Sequence, residues 1–147
     1  MARAIVSLGS NIEPRRDYLV RALALLGEMP TTRLVATSEI EETEPVDVPD
    51  AFASMKFLNQ VAILETALEV HDFSHRMHAI EDALGRVRTV RNAPRTIDID
   101  LIDFDGLHLD EPDLTLPHPR AAEREFVTSP LAKLGQPLGG PLPVIAE

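Results

Sequence analysis

The chain has no cysteine among its 147 residues, which excludes disulfide staples and thiolate metal sites. Such a composition fits a reducing cytoplasm, the location expected for it. No apolar run approaches eighteen residues, so no transmembrane helix is expected. The opening MARAIVSLGSN has one basic residue and then a short β-like run ending in polar residues, unlike a signal peptide. Lysine is nearly missing as well, with two Lys against twelve Arg, and the formal charge is −10. That balance argues against nucleic acid as a partner, because duplex binding depends on neutralising phosphates. Neither GxxxxGK[ST] nor GxGxxG occurs, so a bound nucleotide has no P-loop or dinucleotide turn to hold it.

What is present is 44% apolar residue, enough for one domain over 1–147 with a real core. The scarce positive charge is concentrated: Arg86, Arg88, Arg91 and Arg95 fall within ten residues. An acidic chain with one local arginine cluster is suited to a small, highly charged anion, whose phosphates match the planar guanidinium fork.

Periodicity predicts a strand at 3–8, a turn at GSN (9–11), and a helix entered at Pro14. That helix carries Leu19, Leu23 and Leu26, with Val20 and Ala22, and ends near Gly27 and Pro30. A weak strand at 33–40 leads to a long loop over 41–55, followed by a strand at 57–66. From Glu69 to Leu84, Phe73, Met77, Ile80 and Leu84 recur at helical spacing, with Gly85 as the stop. The arginine loop, a strand at 97–104 and an Asp105-Gly106 turn with LHL as return strand come next. A short helix at 121–134, interrupted at Pro130, and a Pro/Gly-rich tail complete the chain. The order gives an α+β, ferredoxin-like βαββαβ sandwich with a mainly antiparallel sheet and helices packed on it.

The strand at 97–104 carries an anomaly. Strict alternation puts Ile97, Ile99, Leu101 and Asp103 on one face, and Asp98, Asp100, Ile102 and Phe104 on the other. Residues two apart on a strand are roughly 6.5–7 Å apart at Cα, so Asp98 and Asp100 can both reach one hard cation or bracket a pair. Alone, D-I-D fits a solvated outer face better than a metal site. The arginines beside it shift the balance, because Asp, Mg²⁺ and Arg together make a polyphosphate site. GSN alone fits a helix cap. His71, His75 and His78 have ligand-like helical spacing but no companion ligands, and fit a solvated face. His118, in LPHPR, sits in an extended segment after the Asp strand.

RNAPRTIDIDLI (91–102) resembles the signature of the 6-hydroxymethyl-7,8-dihydropterin pyrophosphokinase family. LGSN (8–11), T-x-P (43–45), FLNQV (57–61), GRVR (85–88), LTLPHP (114–119) and REF (124–126) extend the resemblance over nearly the whole chain. It implies a ferredoxin-like fold and transfer of pyrophosphate from ATP to the pterin's hydroxymethyl group, releasing AMP. It also implies two Mg²⁺ on Asp98 and Asp100, with Arg86, Arg88, Arg91 and Arg95 closing over the phosphates. Asn59 corresponds to the reader of the pterin edge, helped by backbone at Thr43, Pro45 and Val46, and Phe57 and Phe126 to the ring-stacking pair. Glu81, Ile99, His118 and Arg124 fall at nucleotide positions. The chain departs from the family pattern at Glu44, Asn92, Asp113 and Pro119, which bears on loop closure and ATP affinity. A monomer acting on these two small molecules is expected. The alternatives are another two-metal phosphoryl transferase on this fold, or a non-catalytic nucleotide- or pterin-binding protein.

Overall fold

The computed structural model describes residues 1–43, 56–85 and 97–118. Its elements are β1 (Ala2–Ser10), α1 (Arg15–Gly27), β2 (Thr32–Thr37), β3 (Glu41–Thr43), β4 (Phe57–Thr66), α2 (Val70–Ala83), β5 (Asp98–Phe104), β6 (Leu109–Glu111) and β7 (Leu114–Leu116). The main sheet runs β2-β4-β1-β5, every pair antiparallel, with β3 added beside β4. β4 therefore lies between β1 and β2, and β1 between β4 and β5, as a ferredoxin-like α+β sandwich requires.

Both helices pack on one face. Leu19, Ala22 and Leu26 of α1 and Phe73, Met77 and Ile80 of α2 join Ala4, Val6, Leu8, Ala62 and Leu64 in a single core. Val20 is the exception to the expected α1 stripe, 56% exposed, because the buried stripe passes through 19, 22 and 26. Gly85 ends α2 at φ +86°, its N–H donating to Asp82 O at 3.1 Å, the left-handed exit that glycine tolerates.

Three local expectations are corrected. GSN is neither turn nor cap: β1 continues through Ser10, with Gly9 paired on both sides and Ser10 with Leu58 of β4, and Pro14 occupies the N-cap of α1. The loop expected from 41 begins instead with β3, whose three residues pair with 57–59. The Asp105-Gly106 turn forms, with φ of 54° and 75° and Leu107 N–H bonded to Phe104 O at 3.0 Å, but LHL does not return along β5. β6 pairs with β7 in a separate two-stranded sheet. The outer edge of β5 is taken elsewhere: Glu81 accepts from Ile99 N–H, and His118 N–H donates to Ile102 O at 2.8 Å.

Strict alternation along β5 is also overturned. Ile5 faces Asp103 and Val6 faces Leu101, so Ile102 is an extra residue on β5. The bulge moves Phe104 to the helix side, where its ring meets Phe73 edge-on at 5.7 Å. It carries Asp103 to the opposite face, fully buried, with no hydrogen bond to either carboxylate oxygen. Burial pushes the Asp103 pKa up.

The small β6–β7 sheet is fastened to α2 through His71. Its Nε2 meets Glu111 Oε1 at 2.5 Å and its Nδ1 meets Glu69 Oε2 at 2.8 Å. The two carboxylates, Glu111 first, raise the His71 pKa from 6.5 to about 9. The clasp therefore stabilises fully below pH 6.5 and is lost as pH rises through 9. Wild type should melt above His71→Gln in acid-to-neutral buffer, with the gap closing between pH 6.5 and 9 and shrinking in high salt. A gap that widened with pH would contradict this.

Candidate active site

The face of the sheet turned away from the helices carries the polar residues. Because antiparallel partners share a face, Asn59 of β4, Gly9 of β1 and Asp98 of β5 form one row across three neighbouring strands. The next row holds Val61, Ser7 and Asp100. Phe57, two residues before Asn59, lies on the same face opposite Thr43 of β3.

Asn59 is 5% exposed, and its Nδ2 donates to Thr43 Oγ1 at 2.5 Å. One edge of a planar group is thus aimed by β3, the strand the sequence pattern missed. Gly9 forms the floor between Asn59 and Asp98. A Cβ there would stand 3.2 Å from Asn59 Oδ1 and 3.5 Å from a Phe57 ring carbon. Sequence reasoning placed Gly9 in a turn. A glycine straight after the strand-like run AIVSL is the signal for a close approach to a strand surface.

At the other end of the row, Asp98 and Asp100 are partly buried on the shared face, as the alternation predicts. His118 joins them, with Nε2 4.0 Å from Asp100 Oδ1. Among the described residues no set of three His, Asp or Glu side chains is arranged to hold a metal ion by itself. Two carboxylates are a fitting donor set for Mg²⁺, which takes one or two from the protein and completes its shell with water and phosphate oxygens.

A cleft of about 260 Å³ opens beyond the outer edge of β5, with Met77 and His78 of α2 on one side and Asp113, Thr115 and His118 on the other. Its volume is just below the range of about 300–1,000 Å³ for drug-sized ligands, room for a heterocyclic base without its phosphates. Asp100 lines it too, so the cleft adjoins the carboxylate pair. His78, assigned to a solvated face with His71 and His75, lines this cleft and hydrogen-bonds Glu81.

The structure thus brings together Thr43, Phe57 and Asn59 as one group and Asp98, Asp100 and His118 as another. Ile99 sends its side chain into the helix-side core. Glu81 is 1% exposed behind β5. Pro45, Val46, Arg86, Arg88, Arg91, Arg95, Arg124 and Phe126 lie outside the described residues, as does the expected helix at 121–134.

Comparison with known proteins points the same way. Residues 5–136 match the family model described as 7,8-dihydro-6-hydroxymethylpterin-pyrophosphokinase (HPPK). A Bacillus subtilis (strain 168) protein named 2-amino-4-hydroxy-6-hydroxymethyldihydropteridine pyrophosphokinase is 39% identical over 133 residues, 90% of this chain and 78% of that protein. A Pseudomonas aeruginosa protein of the same name is 40% identical over 136 residues, covering 92% and 82%. Among solved structures, an HPPK-DHPS crystallised in complex with substrates superposes with a TM-score of 0.67 at 12% identity. That match covers 90% of this chain and 40% of the larger protein, and it bears on the fold alone.

Proposed function

This chain belongs to the 7,8-dihydro-6-hydroxymethylpterin-pyrophosphokinase family, and we propose from that premise that the Asn59–Gly9–Asp98 row is the floor of its active site. The chain transfers pyrophosphate from ATP to 6-hydroxymethyl-7,8-dihydropterin, giving the pterin diphosphate and AMP, in folate biosynthesis. The hydroxymethyl oxygen attacks the β-phosphorus and releases its proton to solvent, the bond from that phosphorus to the oxygen shared with the α-phosphorus breaks, and AMP departs with that oxygen.

Such a displacement needs little covalent help and much positioning and charge stabilisation. Asp98 and Asp100 would hold two Mg²⁺, which supply positive charge to the triphosphate when bound. Arg86, Arg88, Arg91, Arg95 and Arg124 are assigned to its remaining charge. The pterin is assigned to the Phe57 end of the row, with Phe126 on its other face and the Asn59 amide and the backbone at Thr43, Pro45 and Val46 on its edge. The base of ATP is assigned to the cleft beside β5, near His118. The protein is taken to act as a single-domain cytoplasmic monomer. Among the described residues no helix is long and apolar enough to cross a membrane.

One observation supports this reading: the Asn59 amide and the Asp98 carboxylate, assigned here to the heterocycle and the metal, flank Gly9 on adjacent strands. The test is to combine protein, Mg²⁺, ATP and the hydroxymethyl dihydropterin and follow the nucleotide products. AMP should appear only when the pterin is present. ADP would indicate a different phosphoryl transfer, and binding without turnover a non-catalytic protein.

Phe57 should also announce itself in binding. Phe57→Ala should weaken pterin by about 1–3 kcal/mol, the scale of lost aromatic burial and stacking, and leave ATP affinity nearly unchanged. Calorimetric titration with each ligand checks this, and equal losses for both would misplace the pterin.

A further inference from the structure

We infer that Glu81 is the positioning residue for the two metal-binding aspartates, acting from behind the strand through the Ile99 amide. Its carboxylate is 1% exposed, on the last full turn of α2. Oε2 accepts from Ile99 N–H at 2.9 Å, and Oε1 pairs with His78 Nδ1 at 2.7 Å. Ile99 is the residue between Asp98 and Asp100. Its side chain is locked in the helix-side core, so its neighbours on either side must turn outward.

The position in the sheet makes this bond consequential. Among the described residues β5 is an edge strand, paired with β1 alone, and the outward amide of Ile99 meets no strand there. A buried amide without an acceptor loses its hydration uncompensated, so the strand would twist or fray to find one. Charge-assisted acceptance by a carboxylate is the stronger form of the bond, and α2 anchors that carboxylate through Met77 and Ile80 in the core. One side chain thus ties the α2 frame to the peptide linking both aspartates. Because its other oxygen holds His78, the same group also sets a wall of the adjoining cleft. A carboxylate placed in this way supports the metal ligands without needing to touch nucleotide, substrate or metal.

The inference rests on the proposed metal role of Asp98 and Asp100, and the variants separate the two. Glu81→Gln keeps an oxygen acceptor at full reach. Glu81→Asp keeps the charge and falls one methylene short, and Glu81→Leu removes the acceptor. Each is compared with Asp98→Ala by the hydrogen exchange of the Ile99 amide without ligand and by calorimetric affinity for Mg²⁺ with a non-hydrolysable ATP analogue. Glu81→Gln should keep slow exchange and affinity within about threefold of wild type. Glu81→Asp and Glu81→Leu should speed Ile99 exchange at least tenfold and weaken the Mg²⁺–analogue complex about tenfold, with little change in pterin affinity. Should Glu81→Leu fail to fold, Glu81→Asp against Glu81→Gln decides. Wild-type exchange and affinity in folded Glu81→Asp would overturn the inference. So would equal losses in Glu81→Gln and Glu81→Asp. Full Mg²⁺–analogue affinity in Asp98→Ala would instead overturn the metal site itself, whatever Glu81 does.

Discussion

Asp98→Ala and Asp100→Ala should each lower turnover by about a hundredfold to a thousandfold, the scale for removing one preorganised electrostatic stabiliser. Neither change should harm the fold. The two carboxylates share a face two residues apart, and deleting one relieves repulsion between like charges. Melting without Mg²⁺ should therefore be unchanged or raised. Wild type should gain stability when Mg²⁺ and an ATP analogue are added together, because ligands that bind only the folded state shift its population. The variants should lose most of that gain. Steady-state assays at saturating Mg²⁺ and paired melting curves check both halves, and retention of more than a tenth of the wild-type rate would refute the role.

The second large effect is expected at Gly9 and Asn59. If Asn59 reads the pterin edge as proposed, Asn59→Ala should cost about 1–3 kcal/mol, roughly five- to 150-fold in kcat/KM. Gly9→Ala touches no polar group, yet its new Cβ would stand 3.2 Å from Asn59 Oδ1. The amide must give way by a few tenths of an ångström, and Thr43 Oγ1 holds it from the far side. We expect the KM for pterin to rise about tenfold while that for ATP stays put, since a small misplacement of a positioning group is costly. A double-mutant cycle tests the coupling. If the methyl group introduced at position 9 acts through Asn59, the pair of substitutions should cost no more than Asn59→Ala alone. Additive losses would show that the floor touches the pterin independently of the amide.

Much of this molecule is legible from one dimension. Helix α2 follows from the spacing of Phe73, Met77 and Ile80, and its stop from Gly85, because both depend on local periodicity and backbone freedom. The pairing of Asp98 with Asp100 on one face is likewise local, a consequence of period two over three residues. The family was readable as well, because the motif around those aspartates is contiguous. These features require no knowledge of what lies across the sheet.

Other features depend on partners far along the chain. Strict alternation sent Asp103 to the core side and Phe104 to the aspartate side, and a single bulge at Ile102 reversed both. A bulge arises from the register of two strands nearly a hundred residues apart, and periodicity in one strand does not contain it. GSN had the composition of a cap, yet β4 pairs with Gly9 and Ser10, and β5 with Gly9, keeping β1 extended through Ser10. Asp105-Gly106 formed its turn, but Glu81 and His118 occupy the β5 edge where the return strand would lie. The placement of Gly9 between Asn59 and Asp98 was decided the same way. Sequence alone determined which side chains are candidates for charge and heterocycle, since side-chain chemistry and short-range geometry are local. The tertiary structure decided which of them meet, because antiparallel register is the only device here that sets residues 9, 59 and 98 side by side.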